Sequence, residues 1–254
     1  MKVCVITDND FIFNAFQEII AERKLTKIFD FYFSSSNEGF VKKYLDRTDF
    51  RPIMLKQEND DFFSQYDLYL SLHCKQMFSD RLVENYRCIN VHPGFNPYNR
   101  GWFPQVFSII NKLPIGVTIH EMDSKLDHGP IIFQEQIDIL EHDTSLDVYN
   151  KIQKLEIDML KRYLPCLLKA DYSTTVPQYE GNVNYKADFD RLCMLDLNKQ
   201  GTFGEFLGIL RATTFDKCDN AYFYGSDGNK VYVSINLKKT LNKRLFMTSS
   251  KHTY

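Results

Sequence analysis

Four short segments between residues 88 and 130 hold most of the side chains that could move a proton or meet a developing charge. They are Asn90-Val91-His92-Pro93-Gly94, Pro97-Tyr98-Asn99-Arg100-Gly101, Gly116-Val117-Thr118-Ile119-His120 and Leu126-Asp127-His128-Gly129-Pro130. Asn90 and His92 stand two apart in a strand-like run, so both side chains project to one face. Pro93 holds His92 extended and ends the strand at once. The pair is therefore expected at the carboxyl end of a central strand, where open α/β sheets place their ligands. By residue type alone, an amide donor lies beside a candidate general base, with Asp127 available to orient the imidazole. A strand-end histidine that is merely packed and hydrogen-bonded is the competing reading at this point. His73, His120 and His128 lack finger or helical metal spacing. They are expected to be packed or pocket-lining side chains, and no metal is expected.

These residues need a frame. Residues 3–6 form a continuous apolar run of the kind seen in a buried parallel strand. Apolar residues then recur with helical period at Phe11, Ile12, Ala15, Phe16, Ile19 and Ile20, with Asn9 or Asp10 placed to cap them. Strand-like runs follow at 28–33, 52–55, 67–73, 87–92, 116–121 and 130–137, with polar or amphipathic stretches between the earlier ones. A long helix is expected from Thr144 to about Lys169, its apolar stripe traced by Val148, Ile152, Leu155, Met159 and Tyr163. Asp143, Thr144, Ser145 and Asp147 supply its cap. The alternation predicts an α/β domain, mainly parallel, over 1–175. Periodicity breaks between 171 and 184, which reads as a linker or surface connection. A smaller α+β extension is expected over 176–254: a helix at 202–210, a β-hairpin around Gly225-Ser226-Asp227-Gly228-Asn229, and an exposed basic tail.

Composition narrows the function classes. The chain has 254 residues, 44% hydrophobic and 25% charged, so it can bury a core without disulfide or metal staples. Lys and Arg total 31 against 33 Asp and Glu, a net charge of −2 that argues against a nucleic-acid partner. No apolar run approaches a membrane span, and the N-terminal apolar stretch is too short for a signal peptide. The six cysteines show no Cys-x-x-Cys pair and read as reduced, mostly buried thiols. A cytoplasmic location is expected.

The ordered set Asn-x-His-Pro, Arg-Gly, Gly-Val-Thr-Ile-His and Leu-Asp-x-Gly-Pro-Ile-Ile resembles the folate-dependent formyltransferases over roughly residues 1–170. That resemblance implies a Rossmann-like fold and transfer of a formyl group from 10-formyltetrahydrofolate to an amine, with no metal. Matched motif by motif, it implies that Asn90, His92 and Asp127 form the catalytic triad. It implies a folate pocket lined by Lys75, Gln76 and Met77, largely through their backbone, with His128 nearby.

The segments Ser71-Leu72-His73-Cys74-Lys75-Gln76 and Asn96-Pro97-Tyr98-Asn99-Arg100-Gly101-Trp102-Phe103-Pro104-Gln105 are similar to the branch that formylates nucleotide-linked amino sugars. The implied acceptor is a dTDP-linked amino-dideoxyhexose used for surface glycans such as O-antigen, with the 4-amino sugar favoured over the 3-amino one. Arg100 could pair with its pyrophosphate, and Tyr98 and Trp102 could stack on a base or sugar; Trp102 packing beneath a helix is the alternative. Asn99, Gln105 and Tyr222 complete the expected substrate contacts. Leu210-Arg211-Ala212 and Asn220-Ala221-Tyr222-Phe223 resemble elements after the catalytic domain, which complete the nucleotide pocket or build a homodimer interface.

Other acceptors fit less well. The loop Thr7-Asp8-Asn9-Asp10 is acidic and lacks the glycines of a glycinamide ribonucleotide site. The charge and short C-terminal region argue against methionyl-tRNA as the acceptor. A non-catalytic binding module would predict a broken triad.

Overall fold

In the computed structural model, which describes residues 1–240, one seven-stranded sheet organises the chain. Its elements in chain order are β1 (Val3–Thr7), α1 (Asp10–Glu22), β2 (Phe29–Ser34), α2 (Glu38–Lys43), β3 (Phe50–Ile53), α3 (Asp60–Phe63), β4 (Leu68–Leu72), α4 (Asp80–Asn85) and β5 (Cys88–His92). There follow β6 (Arg100–Gly101), α5 (Pro104–Asn111), β7 (Ile115–Glu121), β8 (Ile131–Ile137) and α6 (Ser145–Lys169). Strand order is β3-β2-β1-β4-β5-β7-β8. The five strands β3 to β5 in that order run parallel, and β7 and β8 are antiparallel additions.

Both faces of the sheet are covered, as the apolar runs require. Along β1, Val3 and Val5 enter one core with Phe13, Phe16 and Leu160, while Cys4 and Ile6 enter a second core with Phe63, Tyr69 and Leu82. Asn9 caps α1 by accepting the N–H groups of Phe11 and Ile12. Thr144 and Asp147 form a capping box at the start of α6, which ends with Ala170 in the left-handed region.

The sheet order reverses between β1 and β4, so their carboxyl ends open a crevice beside β5. Asp8 follows β1 and spans it. Its carboxylate accepts the backbone N–H of Ser34 at 3.0 Å and of Lys75 at 2.8 Å, and Asn37 Nδ2 at 3.0 Å. The acidic loop is thus a brace between three strand ends.

The chain beyond α6 continues with β9 (Val183–Asn184), α7 (Lys186–Cys193), α8 (Phe203–Thr213), β10 (Tyr222–Tyr224) and β11 (Lys230–Tyr232). The last two form the expected hairpin. Part of the 171–184 connection is ordered by pairing: β9 runs parallel to β6, and Thr175 bridges Ile131. α7 lies where no element was expected. Arg211 on α8 donates to the carbonyls of Asp143 and Leu140 at 2.8 and 2.6 Å, which ties the extension to the start of α6. Most of the expected basic tail, 241–254, lies outside the described residues. Among the described residues no helix is long and apolar enough to cross a membrane. Cys4, Cys88 and Cys193 are buried, whereas Cys218 is exposed.

Candidate active site

Asn90 and His92 come from the carboxyl-terminal half of β5, and Asp127 from the loop joining β7 to β8. Asn90 Nδ2 donates to Asp127 Oδ1 at 2.9 Å. His92 Nδ1 faces Asp127 Oδ2 at 3.5 Å, too long for a good hydrogen bond but close enough for the carboxylate to favour a proton there. His92 Nε2, the nitrogen left for a substrate, is buried and has no hydrogen-bond partner. Burial pushes the His92 imidazole below its ordinary pKa; Asp127 pulls it upward and is outweighed.

Asp127 is itself held from several sides. Its backbone is left-handed, with φ 47°. Its carbonyl accepts Asn96 Nδ2 at 2.8 Å and its Oδ2 accepts the Gly101 N–H at 3.1 Å. Gly101 adopts φ +89°, a conformation that favours glycine. Thr118 Oγ1 on β7 donates to the Gly94 carbonyl at 2.8 Å and accepts the Asn96 N–H at 3.0 Å, fixing the loop after His92.

These groups open into a cavity of about 700 Å³, lined among others by His73, Lys75, Gln76, Met77, Trp102 and Tyr149. Gln76 directs its side chain away to β3, bonding Leu55 N–H and Ile53 O at 3.0 Å each, so the loop can offer its backbone to a ligand. Trp102 is 45% exposed at the cavity edge rather than packed beneath a helix.

The other expected contacts sit elsewhere. Arg100 and His128 line a separate, smaller cavity behind Asp127. Arg100 is buried, bonded to Leu126 O and Glu180, and its Nε has no partner. His128 bridges Asp123 at 2.6 Å and Glu180 at 3.2 Å. The Tyr98 hydroxyl meets that of Tyr179. Asn99 is fully enclosed, with its amide bonded to Ser108 and its Oδ1 to Asn111 and Asn182. It is a structural knot, because every polar atom of its side chain is satisfied within the chain. Gln105 is buried on α5, and Tyr222 belongs to the hairpin; neither lines the large cavity.

Sequence reasoning named Gly94 and Asn96 only as parts of motifs, without a role of their own, and overlooked Glu156. A Cβ at Gly94 would run into the His92 ring, and a Gly directly after His-Pro was the available signal. Glu156 lies eighty-three residues from His73, and a charged residue on the apolar stripe side of α6 was its only trace. Among the described residues no group of three or more His, Cys, Asp or Glu is placed to hold a metal ion.

An α/β sheet that presents an amide, an imidazole and a carboxylate at one strand end is equipped for acyl transfer. The formyl transferase family profile matches residues 28–164, and the N-formyltransferase dimerization C-terminal domain profile matches 188–239. The chain belongs to the formyl transferase family. It is 49% identical over 178 residues to dTDP-4-amino-4,6-dideoxyglucose formyltransferase of Mycobacterium bovis, covering 70% of this chain and 76% of that protein. The structure of a sugar N-formyltransferase from Shewanella sp. superposes with a TM-score of 0.90 at 40% identity, covering 95% of this chain and 99% of that one. A 4-N formyltransferase from Francisella tularensis gives 0.88 at 42% identity, covering 94% and 98%.

Proposed function

We propose that the protein transfers the formyl group of 10-formyltetrahydrofolate to the amine of dTDP-4-amino-4,6-dideoxyglucose. The observation that carries this reading is the buried, unpartnered Nε2 of His92, a residue that lines one cavity together with Asn90 and Asp127. The 49% identity to the mycobacterial dTDP-4-amino-4,6-dideoxyglucose formyltransferase supports this acceptor.

The amine nitrogen attacks the formyl carbon, and the carbonyl π pair moves onto oxygen. The Asn90 amide donates to that oxyanion, a type of contact worth about 3–4 kcal/mol in other enzymes. His92 Nε2 takes the proton released by the new ammonium, while Asp127 favours the Nδ1–H tautomer and steadies the imidazolium. Such proton transfer contributes about 10²–10⁴-fold. The carbon–N10 bond then breaks, N10 receives the proton from His92, and the formamido sugar and tetrahydrofolate are the products.

The same reading makes the enzyme a cytoplasmic homodimer supplying a glycosyl donor for surface glycans such as O-antigen. Met194, Leu197, Phe203 and Leu207 leave apolar surface exposed within or beside the segment matched by the dimerization profile, which supports a second copy there. Mass spectrometry of products from dTDP- and UDP-linked 3- and 4-amino sugars with 10-formyltetrahydrofolate tests the acceptor. Formylation of the dTDP-4-amino sugar above the rest is expected; preference for a 3-amino sugar overturns the assignment.

A further inference from the structure

His120 does not line the cavity and is 1% exposed, yet it reaches the triad from behind. β5 and β7 pair with Asn90 directly opposite His120, so sheet register fixes their approach. On the other side of β7 the pairing with β8 slips between Ile119 and His120, an irregularity that can re-aim a side chain. Thr118, on the same face of β7, already organises the loop after His92.

The hydrogen bonds assign the tautomer. His120 Nδ1 lies 2.7 Å from the Glu121 carbonyl oxygen, a contact that needs an N–H. In the neutral ring Nε2 then carries the lone pair. Asn90 Nδ2 approaches Nε2 at 3.4 Å and gives its other proton to Asp127 Oδ1.

We propose that His120 is a positioning residue for the transfer. As the neutral Nδ1–H tautomer it orients the Asn90 amide through a long, 3.4 Å approach to the proton that Asp127 does not take, the proton Asn90 turns to the oxyanion once substrate is bound, and it leaves the Asp127 carboxylate to Asn90 and His92. The proposal rests on the formyl-transfer reading for its kinetic consequences but not for its tautomer. A proton on Nε2 would confront the Asn90 N–H with a second donor. It would also draw Asp127 Oδ1, 4.0 Å away, out of the triad. The titratable groups facing His120 are Asp127 and Asp123 from the β7–β8 connection and His92 from β5, whose ring centre is 6.4 Å away. The carboxylates favour a proton on His120, whereas burial, the largest influence, and His92 oppose it.

The test compares His120→Leu, which has no acceptor, with His120→Gln, whose carbonyl can take the Asn90 proton. Leu should lower kcat by about 10–100-fold, because a misaimed Asn90 amide forfeits part of the roughly 10²–10³-fold that an oxyanion donor supplies, with both KM values within about twofold. Gln should recover at least about fivefold of that loss and remove one proton from the acid limb of log kcat against pH. Wild-type kcat in His120→Leu, or an unchanged acid limb in His120→Gln, overturns the proposal. If either variant fails to fold, ¹⁵N spectra of histidine-labelled wild type decide: His120 must be protonated at Nδ1 and bare at Nε2 at neutral pH. The reverse tautomer sinks the proposal whatever the enzyme formylates, whereas the expected tautomer with no formyl transfer to any amine sinks only the functional reading.

Discussion

Glu156, buried on α6, holds His73 Nε2 between its carboxylate oxygens at 2.8 and 2.9 Å. His73 follows β4 with φ 60° and lines the reaction cavity, so this contact pins a strained strand end to the long helix. Removing the imidazole strands a carboxylate in the interior. His73→Leu should cost about 3 kcal/mol of stability, and Glu156→Gln distinctly less, because an amide can still bond the ring. Urea unfolding of both variants checks the order; equal losses would contradict it.

His92→Asn or Asp127→Asn should lower turnover by at least about 10²-fold while nucleotide-sugar affinity changes little, since both act on the transition state. Steady-state kinetics beside calorimetric binding separates the two effects. Near-normal turnover in His92→Asn would exclude the imidazole as the base.

Because burial depresses the His92 pKa, the acid limb of the rate should have its midpoint below the ordinary 6.5. The imidazole must be neutral to accept a proton, so the rate rises with pH through that limb. The same shift has a stability consequence. The unfolded chain binds this proton more readily than the native one, so the stabilisation present above about pH 6.5 is lost as pH falls. pH–rate profiles and urea midpoints between pH 5 and 8 test both signs, and His92→Asn should abolish its share of each.

Gly94→Ala should damage catalysis more than binding. The added methyl meets the His92 ring at Nε2 and Cδ2, so the imidazole must leave the position it holds beside Asp127. A fall in kcat of at least about tenfold is expected, since each 1.36 kcal/mol of barrier is tenfold in rate. Wild-type kinetics in this variant would show that the ring can yield without cost.

Trp102 and Arg100 should behave oppositely. Trp102 stands half-exposed at the cavity edge, so Trp102→Ala should weaken dTDP binding and shift stability within about 0.5 kcal/mol. Arg100 is buried behind Asp127, and Arg100→Ala should lower stability by about 1–3 kcal/mol by leaving its partners unsatisfied. Calorimetric titration with dTDP, together with thermal unfolding, distinguishes them. A large binding loss without destabilisation in Arg100→Ala would instead mark it as a pyrophosphate ligand.

The middle of the sheet was legible because β1 and β4 are nearly continuous apolar runs, and α6 because Val148, Ile152 and Met159 repeat at helical spacing and are fully buried. The short helices α2, α3 and α4 have too few turns for periodicity to declare itself. Asn90 and His92 were legible because two residues in one strand share a face. Asp127 came only through its motif, since thirty-seven residues separate it from Asn90. Asn99 and Arg100, expected as substrate contacts, lie enclosed rather than on the large cavity for one reason. Both are polar residues in a loop near the triad, but the 171–184 connection folds over them, and no local pattern announces a cover supplied from eighty residues away.

That cover gives the molecule an unexpected seam. The backbone N–H groups of Arg100 and Trp102 are held by the carbonyls of Asn182 and Asn184, at 3.0 and 2.9 Å. The rim of the reaction chamber is therefore stitched to the approach to α7. Exchanging C-terminal halves between relatives would carry along the lacing that shapes the rim. Acceptor preference in such hybrids should follow the donor of the connection as much as the donor of the sheet.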